Sequence, residues 1–283
     1  MKISGKTKVC AVIGDPVQHS LSPCIHNVAF QHLGLDYVYV AYTVKEDGLR
    51  DAVTGVKNLG IYGLNVTMPH KVKIIRYLDR LDETAREVGA VNTVVNDVEM
   101  VGYNTDGLGA LNALKACGGG PRGRKVVILG AGGASRSISF AIAQEASELV
   151  ILNRTPKNAE MLATRISDVT GRRVRWGRLS GDLLAKELKD ASILVNATSV
   201  GMHPNDSETP VEKSLLRRDM IVFDFVYNPP ETRLLEEAKS LGAKVIDGLA
   251  MLVYQGAASF EIWTGMKAPV ELMMKAARDE LDT

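Results

Sequence analysis

The stretch KVVILGAGGASRSISFAIAQEASELVILNRT, residues 125–155, gives the clearest indication of the fold. The apolar run VVIL leads directly into Gly130-Ala131-Gly132-Gly133-Ala134, a segment with a helical pattern follows, and LVIL forms a second apolar run. A strand, a glycine turn, a helix and a second strand in this order are typical of a dinucleotide-binding unit. Such a turn lets the backbone approach a pyrophosphate, while the helix N-terminus offers it N–H groups and a partial positive charge. The sequence therefore predicts a dinucleotide site at this turn.

The residues around the turn indicate which dinucleotide is bound. The pattern departs from plain GxGxxG at its third position, where Ser135 replaces glycine. The second apolar run ends at Asn153, which is 153 − 130 = 23 residues after the first glycine. An enzyme that uses NAD usually has an acidic residue near this place to bind the ribose 2′-hydroxyl. Here Arg154 and the hydroxyl of Thr155 could hold a 2′-phosphate, which a carboxylate would repel, so we predict NADP.

Strand-like and helix-like segments alternate on both sides of this unit. KVCAVIGD, YVYVAYTV and IYGLNV read as strands before it, and SILVNAT, MIVFDFV and AKVID read as strands after it. The segments VNTVVND and EMVGYNT predict a hairpin around Asp97. The glycine-rich stretch LNALKACGGGPRGRK, residues 111–125, reads as a linker before a new unit. This order predicts an α/β fold with mostly parallel sheets.

Two segments ahead of the linker contain the side chains of interest. Ser20-Leu21-Ser22-Pro23 predicts a helix start, with Ser22 as N-cap and Gly34 closing the helix. The hydroxyls beside this N-terminus suit a substrate carboxylate. NVTMPHK, residues 65–71, reads as a strand end and a turn that Pro69 imposes, and the following residues 71–90 read as helical with a break near Asp82. A solvated lysine in a turn is the simplest interpretation of Lys71 from this heptapeptide alone.

Length and composition narrow the class of protein. The chain has 283 residues, which predicts two domains, and its formal net charge of +1 predicts no nucleic-acid or membrane surface. No apolar run approaches a membrane span, and MKISGKTKVC lacks the apolar region of a signal peptide. The three cysteines are far apart and the five histidines show no metal-ligand spacing. We therefore expect a metal-free protein of the cytoplasm.

Several motifs together point to one family. GDPVQHSLSPCIHN, NVTMPHK, GAVNTVV, GYNTDG, GAGGASR, NRT, NATSVGM and DGLAMLVYQ occur between Gly14 and Gln255, nearly the whole chain. Their identity and order resemble those of the shikimate dehydrogenases. The resemblance implies a substrate-binding α/β domain of residues 1–107, which the C-terminal helices of residues 248–283 return to complete. It also implies a Rossmann-type NADP-binding domain of residues 108–247.

The resemblance also implies roles for individual residues. Lys71 and Asp106 resemble the family's catalytic pair. The residues that resemble its substrate-binding set are Ser20, Ser22, Thr67, Asn92, Asp106, Tyr227 and Gln255. The residues that resemble its cofactor-binding set are Glu83, Gly130, Ala131, Gly132, Gly133, Ala134, Asn153, Arg154, Thr155, Pro156, Lys157, Asn158, Phe225 and Gly248. As sequence, Glu83 reads equally well as a charge in the first turn of a helix.

These residues suit the reduction of a ketone. A lysine ammonium can hydrogen-bond the developing alkoxide and supply its proton, and in the reverse direction the amine can take the hydroxyl proton. The resemblance thus implies NADPH-dependent reduction of 3-dehydroshikimate to shikimate, a step of aromatic amino-acid biosynthesis, by a monomer or homodimer. The alternatives are an NAD-using quinate/shikimate dehydrogenase, a folate-linked NADP dehydrogenase of similar build and a catalytically silent NADP-binding regulator.

Overall fold

A computed structural model describes residues 3–281, and the chain divides into two compact units. The first unit contains the residues up to Thr105 and those from Leu252 onward, and the second unit is Asp106–Met251. The boundaries expected from the sequence lie after residue 107 and before residue 248. The observed division assigns Asp106 to the second unit, at the first residue of a helix.

The first unit contains a six-stranded mixed sheet with helices packed against it. Its strands have the order β2-β1-β3-β5-β6-β4, and the antiparallel pairs are β3 with β5 and β5 with β6. The strands are β1 Lys8–Gly14, β2 Tyr37–Thr43, β3 Gly63–Val66, β4 Arg80–Leu81, β5 Thr93–Asn96 and β6 Met100–Tyr103. The helices are α1 Ser22–His32, α2 Leu49–Asn58, α3 Glu83–Val88, a 3₁₀ helix Lys73–Tyr77 and, at the C-terminus, α10 Val270–Leu281.

The second unit contains a fully parallel sheet of six strands in the order β12-β11-β10-β7-β8-β9, which is the Rossmann order. Its strands are β7 Lys125–Leu129, β8 Glu148–Asn153, β9 Val174–Arg178, β10 Ile193–Asn196, β11 Ile221–Asp224 and β12 Lys244–Ile246. Its helices are α4 Asp106–Ala116, α5 Gly133–Glu145, α6 Pro156–Thr170, α7 Gly181–Leu188, α8 Arg233–Ser240, a 3₁₀ helix Lys213–Leu215 and the start of α9 Gly248–Thr264.

The burial of the central strands follows from their composition. Val126 to Leu129 in β7 and Leu149 to Leu152 in β8 are at most 2% exposed, because helices cover parallel sheets on both faces. The first unit has its own core, in which residues such as Leu64 and Ile74 pack with the inner faces of α2 and β1. Each unit therefore buries its own hydrophobic cluster.

The hairpin, the glycine turn and the strands that flank it are confirmed, but two local predictions are wrong. Ser22 is not the N-cap of α1, since Leu21 occupies that position and Ser22 is the first helical residue. The segment after NVTMPHK is not a continuous helix: it forms the 3₁₀ helix, then β4, and only then α3, which Asp82 caps by accepting a hydrogen bond from Ala85 N at 2.8 Å.

Residues 3–281 contain neither a candidate membrane span nor a candidate metal centre. Among residues 3–281 no helix is long and apolar enough to cross a bilayer. In the same part of the chain, no group of three or more His, Cys, Asp or Glu side chains could hold a metal ion.

A fully buried histidine lies in the aromatic core of the first unit. The His26 ring stacks on Tyr39, with centroids 4.5 Å apart and an interplanar angle of 10°, and it also packs near Phe260 and Trp263. Within the described chain, neither ring nitrogen has a hydrogen-bond partner. Burial lowers the pKa of His26 to about 3, because the charged imidazolium would lose its hydration.

This histidine should make the protein sensitive to acid. The pKa is near 6.5 in the unfolded chain and about 3 in the folded one, so between these values only the unfolded state binds the proton. The contribution to stability is complete above pH 6.5 and falls towards pH 3, by up to about 1.4 kcal/mol per pH unit. Urea unfolding of the unmutated protein and of His26→Phe from pH 7 to 4 measures this. The difference in unfolding free energy should increasingly favour the variant as pH falls, and a constant difference would contradict the prediction.

Candidate active site

The turn NVTMPHK holds Lys71 between two fixed backbone segments. Thr67 N donates to Ile13 O at 2.9 Å, and His70 N donates to Thr67 O at 2.9 Å, which closes the turn. The carbonyl oxygen of Lys71 accepts from Val91 N at 2.8 Å. Lys71 is half-buried. Its backbone is therefore tied to the residue that precedes Asn92.

The start of α1 presents hydroxyls and backbone N–H groups together. Ser22 N donates to Ser20 Oγ at 3.3 Å, and Ser22 is 6% exposed whereas Ser20 is half-buried. Leu21 at the N-cap has no polar side chain to satisfy the N–H groups of the first turn. This combination of hydroxyl, N–H and helix dipole suits a carboxylate.

Asn92 and Gln255, which are 163 residues apart in sequence, are in direct contact: Asn92 Nδ2 donates to Gln255 Oε1 at 3.1 Å. Asn92 is 2% exposed and lies just before β5, and Gln255 is half-buried on α9. Both belong to the first unit. The fold therefore joins two of the predicted substrate residues.

Five buried polar residues around this pair were not assigned a role from the sequence. They lie on four different strands or loops and on α9, and all are less than 9% exposed. They are Tyr39, Asn65, Thr93, Thr105 and Ser259. Asn65, Thr93 and Thr105 lie within the motifs NVTMPHK, GAVNTVV and GYNTDG, whereas Tyr39 and Ser259 lie outside all the family motifs.

In the second unit, the glycine turn after β7 has the geometry expected of a dinucleotide-binding turn. Gly130 has φ +105°, and a Cβ there would lie 2.8 Å from Ala197 O, so only glycine fits. Ser135 Oγ donates to Gly130 O at 2.6 Å. Ser135, the residue that departs from the GxGxxG pattern, thus stabilises the turn by a hydrogen bond to its backbone.

Open space surrounds the next two glycines. A Cβ added at Gly132 or Gly133 would meet no heavy atom within 4 Å in the described part of the chain, and both residues are exposed. Gly132 is the N-cap of α5 and supplies no side chain to the N–H groups of the first turn. The helix N-terminus is therefore accessible to an anion.

The loop after β8 lies at the same carboxyl edge of the sheet, since β8 is parallel to β7 and pairs with it. Asn153 Nδ2 donates to Thr155 O at 2.9 Å. Arg154, Thr155, Pro156, Lys157 and Asn158 are all exposed, and α6 begins at Pro156. Two cations and a second helix N-terminus are therefore available for a phosphate.

A buried acid organises the loops after β10 and β11. Asp224 accepts hydrogen bonds from Asn196 Nδ2 and Val226 N, both at 3.0 Å, and from Thr232 Oγ1 at 2.7 Å. Burial raises the pKa of Asp224 to about 6, although these hydrogen bonds oppose the rise. The carboxyl group thereby fixes the backbone that leads into the exposed Tyr227.

Gly248 is required by its close packing on this loop. A Cβ at Gly248 would lie 2.5 Å from Phe225 O and 2.6 Å from Val226 O. The two predicted cofactor residues Phe225 and Gly248 are therefore in contact.

The remaining predicted residues are divided between the units. Lys71 and Glu83 belong to the first unit, where Glu83 is the exposed first residue of α3. Asp106 is 4% exposed and is the first residue of α4 in the second unit. Ala131 and Ala134 are half-buried members of the glycine turn.

Comparison with family models gives three matches along the chain. Residues 12–94 match the shikimate dehydrogenase substrate binding domain, residues 113–241 match shikimate / quinate 5-dehydrogenase, and residues 248–278 match the shikimate 5'-dehydrogenase C-terminal domain.

Individual proteins are similar over almost the full length. The chain is 50% identical to the NADP(+) shikimate dehydrogenase of Methanopyrus kandleri, over 99% of this chain and 98% of that protein. Among solved structures, a shikimate dehydrogenase in complex with NADP+ superposes with a TM-score of 0.93 at 46% identity, covering 99% of this chain and 98% of the other. The Listeria monocytogenes shikimate 5-dehydrogenase, solved with shikimate and NAD, gives a TM-score of 0.92 at 41% identity, covering 97% and 98%.

Substitution by alanine should have different effects on stability at Gly130 and at Gly132. Gly132→Ala has room and an ordinary φ of −82°, so its melting temperature should be unchanged. Its methyl group would keep a pyrophosphate from the backbone, and the KM for NADP should rise about tenfold, since a hydrogen bond to a charged group contributes about 1.5–3 kcal/mol. Gly130→Ala should instead melt earlier, because of its positive φ and the clash with Ala197. Calorimetry and steady-state kinetics measure both variants. Equal loss of stability in the two would contradict the distinction.

Proposed function

The chain belongs to the shikimate dehydrogenase family, and from that premise we propose that it interconverts 3-dehydroshikimate and shikimate with NADP(H). The observation that carries the proposal is the contact between Asn92 and Gln255 in the first unit. A site that hydrogen-bonds several substrate hydroxyls needs such side chains held in place, since it rejects analogues that leave its polar groups unpaired.

The substrate site of this proposal lies in the first unit. The start of α1, with Ser20 and Ser22, would bind the carboxylate of the substrate, and Thr67, Asn92 and Gln255 would hydrogen-bond its hydroxyls. The pairing of a helix N-terminus with hydroxyl donors supports the first assignment. Tyr227 and Asp106 are the two other residues proposed for substrate binding.

The residues of the second unit fit NADP. Gly130 to Ala134 would bind the pyrophosphate at the N-terminus of α5, and Arg154 with Thr155 and Lys157 would bind the 2′-phosphate. The support is the open space at Gly132 and the exposure of Arg154. Phe225 and Gly248 would line the nicotinamide end, and Glu83 is a further proposed cofactor residue.

The chemistry divides between the cofactor and two side chains. NADPH, when bound, supplies a hydride to the ketone carbon. The Lys71 ammonium would hydrogen-bond the developing alkoxide and transfer its proton to that oxygen. Asp106 would orient the ammonium and stabilise its charge. In the direction of oxidation, the neutral amine of Lys71 would accept the hydroxyl proton.

We also propose that the protein acts in the cytoplasm as a monomer or homodimer. Cys10, Cys24 and Cys117 are unpaired, as is usual in a reducing compartment. A catalytically silent regulator would need neither Lys71 nor Asp106, and both are present.

The preference for NADP should depend on Arg154. Oxidation of shikimate and of quinate is first measured with NADP and with NAD. Shikimate with NADP should give the highest kcat/KM, and equal use of both cofactors would overturn the assignment of the 2′-phosphate site. Arg154→Ala should then raise the KM for NADP, because it removes a charge-assisted hydrogen bond that contributes about 1.5–3 kcal/mol to binding. The KM for NAD should stay nearly unchanged.

Replacement of Lys71 should remove the proton transfer. Lys71→Met should lower kcat by about 10²–10⁴-fold, and kcat/KM should fall with it. Asp106→Asn should also slow turnover, and the double variant should cost less than the sum of the single losses, because the two residues act together. As a control for folding, binding of shikimate and of NADP is measured by calorimetry, and the variants should still bind both. A folded Lys71→Met protein with near-normal turnover would return Lys71 to the role of a solvated turn residue.

A further inference from the structure

Three side-chain amides of the first unit, Asn65, Asn92 and Gln255, each face a backbone group that fixes their orientation. Asn65 Nδ2 lies 3.0 Å from the carbonyl oxygen of Asn92, which can only accept. The N–H group of Thr105, which can only donate, lies 2.8 Å from Asn92 Oδ1. Gln255 Nε2 lies 2.9 Å from Leu252 O. Nitrogen and oxygen are therefore assigned in all three amides by backbone groups.

This orientation determines what Gln255 can offer a ligand. Its Oε1 accepts from Asn92 Nδ2, and one hydrogen of Nε2 is directed at the Leu252 carbonyl. The second hydrogen of Nε2 has no partner among residues 3–281 and is left for a ligand. Gln255 therefore presents a hydrogen-bond donor, and the ligand atom that it recognises must be an acceptor such as a hydroxyl or carboxylate oxygen.

Ser259 lies at the centre of the hydroxyls that connect the amides, and it is completely buried. Its Oγ is 2.7 Å from Thr93 Oγ1, 3.1 Å from Asn65 Nδ2 and 3.2 Å from Thr105 Oγ1. The single hydroxyl hydrogen of Thr93 is directed at Asn92 Oδ1, 3.0 Å away. In this arrangement the Thr93 oxygen accepts from Ser259, while Ser259 accepts from Asn65.

The opposite side of Asn65 is fixed by a tyrosine. Tyr39 Oη donates to Asn65 Oδ1 at 2.7 Å, and Tyr39 is 1% exposed. Burial raises the pKa of Tyr39 well above its usual range, so the phenol keeps its proton and remains a donor. The hydrogen bonds therefore run in one direction, from Tyr39 through Asn65 and the hydroxyls to Asn92 and then to Gln255.

We propose that Ser259 is a positioning residue of the substrate site, which acts through Thr93 and Asn65 to hold the amides of Asn92 and Gln255 in the orientation that presents the Gln255 N–H donor. The inference rests on the proposed function, in which these two amides contact the substrate. Its physical basis is the low local dielectric, in which a buried polar group without a partner is costly. Removal of the Ser259 hydroxyl takes one hydrogen-bond partner from Thr93 and one from Asn65, so the network holds the amides less firmly in their single arrangement.

The test compares two hydroxyls on the same helix. Ser259 Oγ lies 3.1 Å from Gln255 O, four residues earlier, and Thr264 Oγ1 has the same spacing on the helix, 2.8 Å from Phe260 O. Ser259→Ala should raise the KM for shikimate about tenfold, the effect of one neutral hydrogen bond, with kcat within about twofold and the KM for NADP unchanged. Thr264→Val should change none of these values.

Further measurements separate positioning from general stability. Calorimetric titration with shikimate should give the same tenfold weaker binding for Ser259→Ala without any turnover. Ser259→Cys, which keeps a weak donor and acceptor, should recover part of the affinity. Thr93→Val removes the donor to Asn92 without loss of volume and should also weaken shikimate binding, so the proposal stays testable if Ser259→Ala does not fold.

The outcomes separate this inference from the proposed function. An unmutated protein without shikimate oxidation would overturn the function itself. An active protein in which Ser259→Ala and Thr93→Val lower the melting temperature but leave shikimate binding intact would overturn only the positioning role. The same KM increase in Thr264→Val would assign the effect to helix stability and would also overturn it.

Discussion

The hydrogen bond from Asn65 Nδ2 to the carbonyl oxygen of Asn92 joins the end of β3 to the residue before β5. Both groups are buried, so neither can exchange this bond for water without a free-energy cost. β3 leads into the turn that contains Thr67 and Lys71. In the proposed function, the side-chain amide of Asn92 hydrogen-bonds the substrate. The bond between Asn65 and Asn92, together with the one from Val66 N to the same carbonyl oxygen at 2.9 Å, therefore fixes the distance between the turn and the amide. The antiparallel register, which pairs Asn65 with Thr93, follows the same constraint.

The parts of the fold that the sequence could predict have strong local patterns. The unit from β7 to β8 was predictable because an apolar run next to glycines has few other arrangements, and the parallel pairing of the two strands confirms it. β9, with the sequence VRWGR, was missed because glycine is a poor strand former and this short edge strand has few apolar residues. The 3₁₀ helix Lys73–Tyr77 was read as α-helical, since five residues contain too little periodicity to distinguish the two.

Less of the site was predictable from the sequence, because many of its residues are far apart along the chain. The dinucleotide turn is local, so its glycines could be assigned from adjacent residues. Asn92 and Gln255 were assigned only through the family resemblance, because no sequence pattern links positions 163 residues apart. Ser259 was not assigned at all. A serine four residues after Gln255 has the spacing of an ordinary helix face, and only the packing of α9 against β3 and β5 reveals its four polar neighbours.

The second unit uses polar residues at strand ends for a related purpose. Asn153, Asn196 and Asp224 are the last residues of β8, β10 and β11. Each side chain bonds to the backbone two residues later: to Thr155 O at 2.9 Å, to Thr198 N at 3.1 Å and to Val226 N at 3.0 Å. This geometry turns the chain at the carboxyl edge of a parallel sheet without a helix or a further strand. The three strands flank the turn after β7 in the order β11-β10-β7-β8, so four neighbouring loops are fixed by short-range bonds. Because these bonds are made by the strand ends themselves, the loops can expose Arg154 and Tyr227 to ligands while their backbones stay in place.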